Sequence, residues 1–246
     1  MDFIIGITTF SKRKNFLINL IDKIRNFTEK KILVCINGEL GGNTDEEYTI
    51  EILNFFSSHK NVYPIFFTEI RGLSKLWNTI AIHSCEENIL MLNDDLDLSN
   101  PDIFEIINSH LSSKNYKGFT RINRSFSHFI ISKKVLDSLG YFDERLLGFG
   151  EEDGDIFYRC LKQNFEITDI SISGFINLIS DVRHENIKPG IGKYSKFNRD
   201  FVYQKKYSAN KDSKLKGMFD TPMVQNLEDI NCYPYESFFH KNKKDL

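Results

Sequence analysis

Two short stretches of the chain crowd carboxylates more tightly than a solvated surface needs. In Gly148-Phe149-Gly150-Glu151-Glu152-Asp153-Gly154-Asp155, four acids fall within five positions. Like charges this close raise one another's pKa unless a cation or a helix dipole offsets them. Ile156-Phe157-Tyr158 follows at once, so the acids stand where a helix would begin. A carboxylate held there could act as a general base, whereas plain first-turn acids would only favour the helix start. The other stretch is Ile89-Leu90-Met91-Leu92-Asn93-Asp94-Asp95-Leu96-Asp97, an apolar run that ends in three acids within four positions. Carboxylates at the end of a buried strand suit a hard divalent cation, which takes their oxygens and keeps positions open for phosphate or water. The plain alternative is a polar strand end leading into the next helix.

The elements that would position these acids can be read from periodicity. Residues 3–9, 31–37, 62–67 and 88–93 are short apolar runs rich in β-branched residues, which predicts buried strands. Between them, Phe16, Leu17, Leu20, Ile21 and Ile24 recur at helical spacing, and residues 45–58 and 73–85 also read as helices. Thr44 or Asp45 would cap the second helix, and Gly38 would end the second strand. Strands alternating with helices predict an α/β fold with a mostly parallel sheet covered on both faces. In such sheets ligands gather at the carboxyl ends of the strands, where Asp94 and Asp95 would lie. Further on, residues 100–111 read as a helix opened near Pro101 and Asp102, and residues 126–140 as a strand, then a helix stopped by Gly140. From about Asp181 the pattern weakens into a polar, basic extension.

Composition narrows the function classes. The chain has 246 residues, 41% apolar and 27% charged, the balance of a globular protein with a real core. A net charge of -2 supplies no field for nucleic acid, although the C-terminal part is locally basic. The four cysteines are scattered without a Cys-x-x-Cys pair, which excludes a disulfide framework and leaves Cys35 as a buried thiol. No apolar run reaches the ~18–20 residues of a membrane span, and the first residues read as a strand, not a signal peptide. A reducing cytoplasm is the expected location.

Read in order, these segments resemble the glycosyltransferases of the A-type fold, especially the inverting family 2 enzymes. Their carboxylate motif, usually called DxD, follows an apolar strand and often reads Leu-Asn-x-Asp, as Leu92-Asn93-Asp94-Asp95 does here. The resemblance implies that Asp95 binds a metal and Asp94 faces the nucleotide ribose. A literal Asp-x-Asp register, Asp95-Leu96-Asp97, would shift the metal role toward Asp97. Family 2 enzymes also carry a Gly-Gly-Phe-Asp-Glu element, then a Glu-Asp pair and an Arg, comparable to the run from Gly140 to Arg159. The β-1,4-galactosyltransferases have a similar Gly-aromatic-Gly followed by Glu-Asp, matched by Gly148-Phe149-Gly150, Glu152 and Asp153. Carried over, Asp153 is the general base and Glu152 fixes the loop or binds the acceptor. Gly154 departs from the galactosyltransferase-like motif, which has an acceptor-contacting acid there.

The resemblance extends to the donor side. His184 follows Val182-Arg183 much as a metal-ligating His follows Ile-Arg in the galactosyltransferases, which implies His184 as a ligand, Asp181 as a second, and Arg183 on the diphosphate. An imidazole ligand favours Mn2+ over Mg2+. The first strand-loop matches the segment that cradles base and ribose, giving Thr8, Thr9, Phe10 and Arg13. Arg71 to Ile80 resembles a segment lying against the nucleotide, giving Ser74, Lys75 and Asn78, with Trp77 in the core. The resemblance implies a single Rossmann-like domain of glycosyltransferase A type over residues 1–190, with a nucleotide-sugar half (1–98) and an acceptor half (99–190), and a C-terminal extension over 191–246. Its expected partners are a UDP-sugar donor and a glycan or lipid-linked glycan acceptor, such as a bacterial capsule or lipooligosaccharide. The basic tail with Phe238 and Phe239 could dock at the inner face of a membrane. Two other classes compete. A sugar nucleotidyltransferase should carry a Gly-rich phosphate loop after the first strand, and Thr8 to Asn15 contains no glycine. A binding module that kept the fold but lost activity would need no intact Asp95, Asp153 and His184.

Overall fold

The computed structural model describes residues 2–10, 13–38, 45–178, 194, 196–209, 211 and 223–227. The first half alternates as the periodicity predicts: β1 (Phe3–Phe10), α1 (Lys14–Phe27), β2 (Ile32–Asn37), α2 (Glu46–Ser57), β3 (Val62–Phe66), α3 (Leu73–His83) and β4 (Asn88–Asn93). Then come β5 (Leu96–Leu98), α4 (Ile103–Leu111), β6 (Phe119–Ile122), β7 (Ser125–Ser132), α5 (Lys133–Leu139), α6 (Glu152–Lys162), β8 (Thr168–Ile170) and β9 (Phe175–Asn177). A π-helix at Phe201–Lys206 leads into β10 (Tyr207–Ala209), which pairs antiparallel with β11 (Met223–Gln225).

Seven strands form one sheet in the order β3-β2-β1-β4-β7-β6-β8. β1 to β4 pair parallel, so their carboxyl ends form one edge. β7 runs antiparallel between β4 and β6 and makes the sheet mixed. β5 and β9 form a separate two-stranded ribbon just beyond β4. Among the described residues no helix is long and apolar enough to cross a membrane.

Alternation along each strand divides the core between the two faces of the sheet. One face joins Ile5, Ile7, Val34, Leu90 and Leu92 to Leu17, Leu20, Ile21 and Ile24 of α1 and to α2 and α4. The other joins Ile4, Cys35, Ile89 and Met91 to Leu76, Trp77 and Ile80 of α3 and to α5 and α6. Cys35 is fully buried, and burial pushes its thiol up to about 12, so it is an inert core side chain.

Two glycines bring the loops to this scaffold. Gly140 ends α5 with φ +89°, the left-handed conformation that glycine adopts without a Cβ clash. Gly72, at the start of α3, lies so close to a later loop that a Cβ would come 2.4 Å from the Leu146 carbonyl oxygen. The Leu73 N–H donates to the Gly148 carbonyl at 2.6 Å. Because α3 starts just after the carboxyl end of β3, this contact carries the acidic loop around Gly148 to the sheet edge where Asp94 and Asp95 emerge.

Part of the segment that reads as an extension is packed into the domain. Phe201, Val202 and Tyr207 join Leu146 and Tyr158 in a third apolar cluster. Asn198 is buried and clamps the acidic loop, accepting from the Leu147 N–H at 2.7 Å and donating to the Leu147 and Gly150 carbonyls at 2.7 and 2.9 Å.

Candidate active site

Asp94 and Asp95 follow β4 directly and are almost fully buried, at 1% and 0% exposure. Asp94 Oδ2 accepts from the Thr9 hydroxyl on β1 at 2.6 Å. Arg13, at the N-cap of α1, spans the pair: Nη1 lies 3.0 Å from Asp94 Oδ1 and Nη2 lies 3.0 Å from Asp95 Oδ2. Its guanidinium also stands 5.5 and 5.3 Å from the ring centres of Phe10 and Phe16. Burial pushes the Asp94 carboxyl up to about 7, against Arg13 and Thr9, which pull it down. Burial thus outweighs Arg13 and Thr9 at Asp94.

Beside this cluster a cavity of about 440 Å³ opens between the starts of α1 and α2, lined by Arg13, Lys14, Phe16, Asp45, Tyr48 and Glu51 among others. Tyr48 turns a buried hydroxyl into these surroundings, with no hydrogen-bond partner among the described residues. Burial, then the charge of Asp94, holds that phenol well above its ordinary pKa. His128 on β7 lies in register with Leu92, just before the acidic pair. It is 2% exposed and stacks on Phe175 with ring centres 4.9 Å apart. Neither of its ring nitrogens has a partner among the described residues. Burial pushes its pKa down to about 4 against the pull of Asp95, so it is a neutral imidazole.

These donors suit a divalent cation in kind. Two strand-end carboxylates offer hard oxygens, and a neutral, unsatisfied imidazole lies near. Among the described residues, however, no three His, Cys, Asp or Glu side chains converge as a finished metal site. Asp97 pairs with a lysine instead: its carboxylate lies 3.3 Å from Lys23 Nζ on α1. Asp181, Arg183 and His184 lie outside the described residues. The described chain leaves this region beside Asp95, since the Leu178 N–H donates to the Asp95 carbonyl at 2.8 Å.

The acidic loop sorts its four carboxylates into different states. Asp155 is buried, held by Arg159 at 2.9 Å, Lys206 at 2.5 Å and the Tyr207 hydroxyl at 2.8 Å. Glu151, at φ 74°, lies 3.6 Å from Arg199. Glu152 is 4% exposed and accepts from the Gly150 N–H at 2.7 Å. Burial pushes its carboxyl up to about 8, so it keeps a proton at neutral pH. Asp153 is half-buried in the first turn of α6, and its carboxylate accepts from the Gly154 N–H at 2.8 Å. Of the paired catalytic candidates, Asp153 is therefore the one that solvent reaches, and Glu152 is built into the loop.

The other donor-side candidates divide. Thr8 and Thr9 end β1 beside Asn93 and Asp94, and Phe10 is half-buried next to Arg13. Lys75 reaches Glu144 at 3.6 Å, and Ser74 is fully buried. Asn78 lies in the interior and serves the loop: its amide donates to the Phe142 carbonyl at 2.9 Å and to Glu144 at 3.0 Å, and accepts from the Phe142 N–H at 3.0 Å. The expectation of Asn78 on the nucleotide gives way to this clamp, because both ends of its amide are used within the fold. Trp77 packs on Phe129 and Phe142, as a core residue should.

Sequence reasoning passes over His128, Tyr48 and Lys206. The alternation of His128 with Ile130 is the available signal for His128, since it puts the imidazole on the buried face that Ile130 shares, at the strand's site end.

No family model and no curated protein matches the chain. Solved structures do. The chain is similar to TarS 1-349 of S. aureus in complex with UDP-GlcNAc, with a TM-score of 0.56 at 15% identity over 71% of this chain and 57% of that one. It is similar to the Pyrobaculum calidifontis mannosyltransferase PcManGT in complex with GDP-Man and Mn2+, with a TM-score of 0.59 at 12% identity over 74% of this chain and 58% of that one. The catalytic domain of Drosophila β1,4-galactosyltransferase 7 in complex with xylobiose gives a TM-score of 0.55 at 12% identity, covering 92% of this chain and 93% of that one. The chain thus spans less than three fifths of TarS 1-349 and PcManGT. At this identity the likeness shows the fold alone, the fold that these A-type glycosyltransferases share.

Proposed function

We propose that a chain with this fold is an inverting, divalent-cation-dependent glycosyltransferase that moves a sugar from a nucleotide-sugar, most simply a UDP-sugar, to a glycan hydroxyl. The observation that carries the reading is the meeting of two acidic elements at one sheet edge. Asp94 and Asp95 leave β4 there, and the loop of Glu152 and Asp153 is tied there through Leu73 and Gly148. One element suits a diphosphate with its cation, the other an acceptor hydroxyl.

In this reading Asp95 would hold the cation, with Asp94, expected at the nucleotide ribose, drawn in as a second carboxylate because Arg13 bridges the two, and with His184 and Asp181 as the further ligands the family pattern supplies. Asp181 stands three positions after Leu178 in the sequence, and the Leu178 N–H donates to the Asp95 carbonyl. The bound cation would neutralise the charge that develops on the departing nucleoside diphosphate. Mn2+ is preferred because of the imidazole. Thr8, Thr9, Phe10 and Arg13 line the nucleotide side, with Ser74, Lys75 and Arg183 as lesser candidates. Asp153 removes the proton of the acceptor hydroxyl as that oxygen attacks the anomeric carbon. The glycosidic bond forms as the bond to the diphosphate oxygen breaks, in one displacement with inversion. Asp153 suits the role because it is a carboxylate reached by solvent and set in the first turn of α6. Glu152, protonated and bonded to Gly150, shapes the loop. The acceptor we favour is a growing bacterial surface glycan assembled at the cytoplasmic face of the membrane, with the basic tail as a docking element.

A donor screen tests this reading. The chain is mixed with Mn2+ and UDP-, GDP-, dTDP- and CMP-sugars, and nucleotide release is followed with Asp95→Ala and Asp153→Asn alongside. Slow, metal-dependent release from one donor that both variants abolish is the expected result. Absence of release and of any melting shift with every nucleotide would replace the enzyme by a binding module.

A further inference from the structure

Arg13 grips the two carboxylates that the proposed function gives to a divalent cation, and its role here rests on that reading. Asp94 has both oxygens engaged, Oδ1 by Arg13 at 3.0 Å and Oδ2 by Thr9 at 2.6 Å. Asp95 Oδ2 is held by the second arm of the same guanidinium at 3.0 Å. A cation that takes these oxygens must compete with Arg13, since two positive groups repel where burial weakens solvent screening. The guanidinium is not sealed in. Its side chain is 18% exposed, it leans on the half-buried rings of Phe10 and Phe16, and it lines the cavity of about 440 Å³ between α1 and α2. A diphosphate presented at the exposed side of the guanidinium, outside the cavity wall that also carries Asp45, Glu47 and Glu51, offers the same planar fork two new oxygens in place of the pair it would give up.

We propose that Arg13 is an exchangeable counter-ion, which holds Asp94 and Asp95 together until a divalent cation takes them and then moves to the diphosphate of the donor. The carboxylate pair is thereby never left without a positive partner. The cation alone must break two charge-assisted bonds and finds no compensation. The cation together with a nucleoside diphosphate gives Arg13 a new partner. Cation and nucleotide therefore tighten each other's binding through Arg13, and linkage requires the effect to be reciprocal.

The test is calorimetric titration of Mn2+ into the full chain, wild type, Arg13→Ala and Arg13→Lys, with and without saturating UDP. Without UDP, Arg13→Ala should bind Mn2+ about tenfold tighter than wild type, within the range usual for coupled sites. UDP should tighten Mn2+ binding in wild type by clearly more than in Arg13→Ala. The lysine variant keeps the charge but cannot span both carboxylates, so without UDP it should bind Mn2+ more tightly than wild type and less tightly than the alanine variant. This comparison stands even if the alanine variant folds poorly without metal, and melting curves show whether it does. Mn2+ binding without UDP that is no tighter in either variant than in wild type overturns the exchange and leaves the transferase reading untouched. If wild type binds Mn2+ neither with nor without UDP, the cation reading falls and the exchange falls with it.

Discussion

Glu152 and Asp153 are neighbours in sequence, yet one is buried and protonated while the other is reached by solvent. The difference has a consequence for stability. The folded chain keeps a proton on Glu152 up to about 8, whereas the unfolded chain releases it near 4.5. Stability from this group is therefore fully present below about 4.5 and is lost as pH rises toward 8. Glu152→Gln should flatten the decline of stability across that window, measured as denaturant midpoints at several pH values. An unchanged slope would show that the carboxyl is not the titrating group. At this scale the sequence is partly legible. Asp94 and Asp95 stand out because an apolar strand runs straight into them. The grip of Arg13 does not, because it depends on β1 and β4 lying side by side. His128 hides within an apolar run, and Asn78 looks like a ligand because its type and motif say nothing of the Phe142 backbone it serves.

Elements carry the site through two kinds of packing. α1 is fastened by Leu17, Leu20, Ile21 and Ile24, all fully buried, and it delivers Arg13. Leu20→Ala should cost about 2–5 kcal/mol by chemical denaturation, as large-to-small changes in packed cores do. The acidic loop is fastened by charge instead. Lys206 is completely buried and bridges Asp143 at 2.7 Å and Asp155 at 2.5 Å, the residues that flank the loop on either side. Arg145 and Arg159 complete the network, and Lys206 and Arg145 hold the Asp143 carboxyl well below the usual range despite its burial. Lys206→Met would leave buried carboxylates short of a partner and should cost about 3–5 kcal/mol. A loss below ~1 kcal/mol would mean that the bridge contributes little net stability. The strands and helices up to β4 are legible from their alternation. The antiparallel insertion of β7 between β4 and β6 is not, since periodicity gives an element's faces but not its neighbours.

At the scale of the whole molecule, described residues beyond position 190 belong to the core. The sequence from about 190 onward is polar and basic, and it reads as an extension because nothing in that composition distinguishes one buried lysine from exposed ones. Asn198, Phe201, Val202, Lys206 and Tyr207 nevertheless pack against the acidic loop and α6. Deleting residues 191–246 should therefore lower the melting temperature by many degrees or prevent folding, whereas ending the chain after residue 227 should spare these contacts. Equal melting of both truncations would show the packing to be dispensable. The central claim, that cation-and-donor binding and acceptor activation are divided between two acidic elements, is tested most directly by separating binding from turnover. UDP affinity in Mn2+ and turnover of the donor found by the screen would be measured for wild type, Asp95→Asn and Asp153→Asn. Asp153→Asn should bind UDP as wild type does while turnover falls by roughly 10²–10⁴, the range general bases contribute, and Asp95→Asn should lose the Mn2+-dependent part of binding. Full turnover by Asp153→Asn, or unchanged Mn2+-dependent binding by Asp95→Asn, would contradict the division.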